Sequence, residues 1–213
     1  MWFDKNAAMN DSAKLLADIT INEDVSGSDA TSQKYKWTPI GTSSKAYTGI
    51  FDGNGYTISE LYIDSKVKHT GLFGYIGNNG EVKNLTIANS VITSTQNYTG
   101  AVVGESTGNV TNCHTTATTQ VTGINYVGGI AGDLGGSMSL SQCSNAAEIV
   151  GGVAANQYQR YGYIGGVVGC VHSTASNAIT GSYNIGTVTG LKKVGGVTGG
   201  IYNGGSVQNV YNM

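Results

Sequence analysis

From residue 70 onward, apolar and small residues alternate about a recurring glycine. TGLFG ends at Gly74, GAVVG at Gly104, GGIAG at Gly132, GGVVG at Gly169 and GGVTG at Gly199, spacings of 30, 28, 37 and 30 residues. Two places before each glycine stand Leu72, Val102, Ile130, Val167 and Val197; two places after stand Ile76, Ser106, Leu134, Val171 and Ile201. Period-two alternation predicts a strand with one apolar face. A second block follows each glycine: VKNLTI from Val82, VTNCHT from Val110, LSQCSN from Leu140, ITGSYN from Ile179 and VQNVYN from Val207. A third apolar stretch comes next, at 90–93, 119–123, 147–152 and 186–190. Each unit of roughly 30 residues therefore holds three short strands separated by Gly, Asn and Ser turns.

Three strands per unit, repeated in register, predict an all-β fold, a right-handed parallel β-helix (solenoid) in coils of 28–37 residues. Each coil lies about 4.8 Å from the next. One unit cannot bury its apolar face alone, whereas the stack forms a continuous core. An antiparallel sandwich is the alternative, but its strands need not resemble one another every thirtieth residue. The glycines are expected where stacked corners demand unusual backbone angles or leave no room for a side chain.

The front of the chain is less regular. Residues 14–40 and 47–63 read as two atypical coils, with a short helical turn at 14–17. Sixteen of the 24 charged residues lie in 1–68, as expected for a cap over the open end of a stack. The expected organisation is one structural domain. Capping coils span 1–69 and repeats span 70–98, 99–126, 127–163, 164–193 and an incomplete 194–213. No h-region is visible in the opening MWFDKNAAMN and the last repeat stops midway, so the reading expects a piece of a longer protein.

Composition narrows the function. With 213 residues, 39% hydrophobic and 11% charged, the chain is suited to folding rather than to disorder. A net charge of −2 offers no basic patch for nucleic acid, and no apolar run approaches the length of a bilayer-spanning helix. Three cysteines are too few for a disulfide scaffold and lack metal spacing, so no cofactor or metal is expected.

These residues resemble the GLUG repeats of bacterial extracellular proteins. GLFG (71–74) matches the Gly-Leu-apolar-Gly motif most closely, GIAG (129–132), GVVG (166–169) and GVTG (196–199) follow it, and AVVG (101–104) departs at its first position. The segment WTPIG…YTGIFDGNGYTISELYI (37–63) is similar to the one that introduces such repeats. The family's repeats occur in large surface proteins, some resembling streptococcal immunoglobulin A1 proteases. The resemblance implies a secreted or wall-attached chain with an adhesive, ligand-binding or spacer role toward host glycoprotein or glycan. It implies no protease activity here: HExxH is absent, and His69, His114 and His172 lie in HTG, CHT and VHS.

Several residues merit a chemical reading. Glu105 and Asp133 each follow their glycine by one place and stack outward on adjacent coils. Paired carboxylates can serve acid–base chemistry or bind a cation. Tyr75, Cys170 and Gly200 fill the equivalent positions, so no third acid or base joins them, and surface acids without a role are expected. DGNG (52–55) reads as a tight turn, with too few ligands for calcium. Cys113 and Cys143 share a repeat position, at disulfide distance or as stacked buried thiols. Asn84, Asn112, Gln142 and Asn209, and a second set of Asn145, Asn184 and Asn212, are expected to form amide ladders. The longest spacing contains AANQYQRYGY, and its Tyr158, Arg160, Tyr161 and Tyr163 are the candidate ligand-binding residues. Three functions follow: a non-catalytic binding or spacer module, a polysaccharide-acting β-helix enzyme, or a purely structural stalk.

Overall fold

The structure, a computed structural model, describes residues 8–25, 34–152 and 162–213. Among them there is no helix, and all inter-strand pairings of the sheets are parallel. The chain winds as a β-solenoid, with each strand pairing with its counterpart one coil on. One face stacks Phe73–Ile76, Val103–Ser106, Ala131–Leu134, Val168–Val171 and Thr198–Ile201. A second face, the widest, carries Glu81–Ala88, Asn109–Thr115 and their counterparts in later coils. A third stacks Tyr62–Ser65, Val91–Ser94, Gln120–Thr122, Glu148–Val150 and Val188–Thr189. A narrow fourth ladder, two residues wide, turns the corner into the first face through Thr99–Gly100, Val127–Gly128, Ile164–Gly165 and Val194–Gly195.

The predicted column holds. Val102 N–H donates to Ile130 O at 3.1 Å, Ile130 N–H to Val167 O at 2.9 Å and Val167 N–H to Val197 O at 3.0 Å. Leu72, Val102, Ile130 and Val167 are all buried. Inside the coil the core consists of aliphatic columns such as Ile63–Ile92–Val121–Ile149. Near the front, Tyr47 and Phe51 pack on Phe73 with ring centroids 5.0 and 5.4 Å apart.

The front coil differs from expectation at 14–17. Lys14 lies in the strand Ala13–Lys14, paired with Phe51 and Asp52, so the predicted helical turn gives way to the ladder beside it. That coil leaves an apolar cavity of about 240 Å³ lined by Leu15, Ile21, Trp37, Ile58 and Leu72 among others.

The anchor glycines are there for space. None of Gly74, Gly104, Gly132, Gly169 and Gly199 has positive φ. A Cβ on Gly132 would sit 2.5 Å from Gly104 O and from Thr99 N, and one on Gly169 would sit 2.5 Å from Gly132 O and from Val127 N. The first-face strand passes directly over the corner ladder of the preceding coil, backbone on backbone.

Unusual backbone angles fall elsewhere: at the corner on His69, Tyr98, Tyr126 and Lys193, with φ of 65, 70, 57 and 48°, and on the second face. Asn84, Asn112, Gln142, Gly181 and Asn209 occupy one column with φ of 54, 51, 56, 55 and 51°. Each is a left-handed residue inside an extended segment, which resets the inward parity. Thus Val82 points inward, and so do Leu85 and Ile87. Asn, Gln and Gly interchange there because short polar side chains and glycine tolerate that region best. At DGNG the expected tight turn is present: Asn54 and Gly55 have φ of 54 and 82°, and Asp52 Oδ1 accepts from Asn54 N–H at 2.8 Å.

Candidate functional site

The residues with chemistry gather on the outer side of the first face and its corner. The corner column, one place before the narrow ladder, holds His69, Tyr98, Tyr126, Tyr163 and Lys193. Stacking at coil spacing lays the rings face to face: His69–Tyr98 at 5.0 Å and 12°, Tyr98–Tyr126 at 4.8 Å and 16°, Tyr126–Tyr163 at 5.2 Å and 13°. Lys193 caps the row, its ammonium 4.0 Å from the Tyr163 ring centre and bonded to the Tyr163 hydroxyl. Offset-stacked rings each contribute roughly 0.5–1.5 kcal/mol beyond burial.

Beside this row runs the column Tyr75–Glu105–Asp133–Cys170–Gly200, in register across adjacent strands. Glu105 and Asp133 stack as expected. The expectation that no base joins them is overturned. His69 Nε2 lies 2.9 Å from Glu105 Oε2, and His172 Nδ1 lies 2.8 Å from Asp133 Oδ1. The histidines come from neighbouring columns, His69 from the corner row and His172 from two places along the strand after Cys170. Same-position alignment of repeats does not reveal them.

Asp133 is buried rather than a surface acid, with only 5% of its surface exposed. Burial raises its carboxyl to about 6, against the opposing hydrogen bond and charge of His172. Cys170 is fully buried, and desolvation, aided by the Asp133 charge, pushes its thiol up to about 12. Its Sγ lies 4.0 Å from His172 Nε2. Carboxylate, imidazole and thiol thus stand in the order of a nucleophilic triad. A neutral, enclosed thiol is the opposite of the exposed, low-pKa thiolate that such chemistry uses. Tyr202 stacks on the His172 ring at 5.2 Å and Tyr126 flanks it at 6.0 Å, closing the cluster from the side. Burial also raises the phenols of Tyr98 and Tyr126, the latter to about 12, so both phenols are neutral at physiological pH.

Of the four candidate ligand residues, Tyr158, Arg160 and Tyr161 lie outside the described residues. Tyr163 is 5% exposed, a member of the stacked row rather than an open contact. His114 is structural: its Nδ1 pairs with Ser144 Oγ at 2.8 Å and its Nε2 with Asn112 Oδ1 at 2.9 Å. Cys113 and Cys143 are free, buried thiols, with Cys113 N–H donating to Cys143 Sγ at 3.4 Å. The tyrosine row had a sequence signal. Tyr98, Tyr126 and Tyr163 each stand six residues before Gly104, Gly132 and Gly169.

No protein-family model matches the chain. Halomucin of Haloquadratum walsbyi is 39% identical over 132 residues, 60% of this chain and 1% of that protein. A protein of Evansella cellulosilytica named as a Gly-rich membrane protein is 40% identical over 74 residues, 34% of this chain and 8% of that one. The chain thus spans a small fraction of the relatives it matches. A crystal structure of a Bacteroides ovatus protein named as an immunoglobulin A1 protease aligns with 97% of this chain and 70% of its own, at TM-score 0.69 and 19% identity. That likeness establishes a shared fold.

Proposed function

We propose that this chain is a non-catalytic, GLUG-type extracellular repeat module of a larger surface protein. It acts as a rigid spacer that carries an adhesive face for host glycoprotein or glycan. The observation that carries this reading is the unbroken stack, in which the same strand, corner and ring positions recur coil after coil over the described chain. A solenoid of this kind gives reach and a long lateral surface. The names of its relatives, a mucin and a membrane protein, support a secreted or cell-surface location. The resemblance to immunoglobulin A1 protease-like proteins fits the same setting.

The adhesive face is assigned to the tyrosine-rich insertion and the end of the ring row nearest to it. Tyr158, Arg160 and Tyr161 are the residue types that anchor interfaces, and the exposed Tyr202 adds a ring 39% accessible. A polysaccharide-acting enzyme is disfavoured because the carboxyl and thiol of its most acid–base-rich cluster, Asp133 and Cys170, are buried.

A glycan and glycoprotein array probed with the wild-type chain and with Tyr158→Ala/Arg160→Ala tests the proposal. Binding that weakens tenfold or more in the variant, at unchanged melting temperature, is the expected result. Binding equal in both proteins removes the insertion as the adhesive face, and turnover of any polysaccharide abolished by Glu105→Gln replaces the whole reading with an enzyme.

A further inference from the structure

The Asp133–Cys170–His172 cluster has a composition that the sequence motifs did not reveal. Cys170 and His172 are two places apart, so both project outward from one strand end, about 6.6 Å apart along the chain. Asp133 is the direct partner of Cys170 on the adjacent coil. One carboxylate, one thiol and one imidazole therefore form a triangle. Their ligand atoms lie within 4.8 Å of one another. A tetrahedral zinc ion, with bonds of roughly 2.0–2.3 Å, spaces its ligands about 3.3–3.8 Å apart. The 4.0 Å contact is to Nε2 and the 2.8 Å contact to Nδ1, so the His172 side chain must turn to present one ring nitrogen to an ion held between the carboxylate and the thiol.

We infer that Asp133, Cys170 and His172 form a binding site for a divalent transition-metal ion, zinc by preference, with the fourth position left to water. The donor set mixes thiolate, imidazole and carboxylate, which suits zinc and excludes magnesium and calcium, whose ligands are oxygen. The neighbourhood supports this independently. Asp133 and Cys170 are both buried, and strand pairing on adjacent coils holds the two donors in register. A bound cation displaces the thiol proton, which is released to solvent. Tyr126 and Tyr202 pack against the imidazole, whose side chain stays 35% exposed and leaves a path for the ion and its water. The pair one coil earlier, His69–Glu105, lacks a thiol because its column continues to Tyr75. The site is independent of the adhesive role proposed above.

The test uses the whole chain stripped with a chelator and titrated with cobalt(II), then with zinc. The expected result is one cobalt per chain, a thiolate-to-cobalt charge-transfer band in the near ultraviolet with the visible bands of a tetrahedral ion, and displacement of both by zinc. Cys170→Ser abolishes the near-ultraviolet band, His172→Gln and Asp133→Asn weaken binding at least tenfold, and Cys113→Ser and Cys143→Ser leave it unchanged. Zinc also raises the melting temperature of the wild type and not of Cys170→Ser. No cobalt band in the wild type, a band that survives Cys170→Ser, or rapid alkylation of Cys170 in the native metal-free protein at neutral pH overturns the assignment. Where Cys170→Ser fails to fold, maleimide labelling of the wild type in mild denaturant, read by mass spectrometry, decides. Zinc protection of Cys170 upholds the site, and protection confined to Cys113 or Cys143 overturns it.

Discussion

Tyr47 places a phenol in the core, fully buried, with its hydroxyl donating to Asp11 O at 3.0 Å. Desolvation, with the Asp11 charge adding to it, raises that phenol to about 12 from 10.0. The unfolded chain gives up this proton more readily than the folded one. The contribution to stability is therefore fully present below pH 10 and is lost as pH rises through about 12. At 1.36 kcal/mol per unit, the loss is about 2–3 kcal/mol. Denaturant midpoints measured from pH 9 to pH 12 (a window that spans both values) are expected to fall more steeply for the wild type than for Tyr47→Phe, by that amount. Parallel curves contradict the account. At neutral pH the same variant is expected to lose about 1 kcal/mol, the worth of one hydrogen bond.

Columns are the working elements of this fold, and the amide column shows how two of them depend on each other. Asn145 Nδ2 donates to Asn184 Oδ1 at 2.8 Å, and Asn184 Nδ2 donates to Asn212 Oδ1 at 2.7 Å. In the last three coils the first glycine of the motif makes room for this ladder. A Cβ on Gly129 would lie 2.1 Å from Asn145 Oδ1, one on Gly166 2.1 Å from Gly196 O and 2.2 Å from Asn184 Cγ, and one on Gly196 2.3 Å from Asn212 Cγ. The coil that departs from the motif, AVVG, has Thr115 where the next coil has Asn145, and Ala101 is fully buried there without a wider side chain beside it. Gly166→Ala is expected to cost about 1–3 kcal/mol by overpacking. Adding Asn184→Thr, which copies the Ala101/Thr115 arrangement, is expected to return part of that loss. A double-mutant cycle on unfolding free energies reads the coupling, expected at about 0.5 kcal/mol or more. Strictly additive losses contradict the dependence of the glycine on the asparagine.

At the scale of the molecule, the stack itself was legible in the sequence because a solenoid writes its period into its residues. Leu72, Val102, Ile130, Val167 and Val197 line up as the spacing required, and the Glu105–Asp133 pairing followed from the same register. What the period conceals is chemistry between columns. His69 and His172 reach the two acids from other repeat positions, whereas Cys170 shares the repeat position of Asp133 and was legible beside it. The glycine rule was half legible. Close approach explains the anchors, whereas the left-handed backbone belongs to the corner residues His69, Tyr98, Tyr126 and Lys193 and to Asn84, Asn112, Gln142, Gly181 and Asn209, where the substitution of Gly for Asn in ITGSYN was the available clue. The central claim is that each coil lies on the next in one register. Methyl–methyl nuclear Overhauser contacts along Ile63, Ile92, Val121, Ile149 and Val188 test it most directly, because successive members are cross-strand partners. The account predicts contacts linking each residue to the next in that order and none that skips a member. Contacts joining Ile63 to Ile149, or the absence of the chain of neighbours, would contradict it.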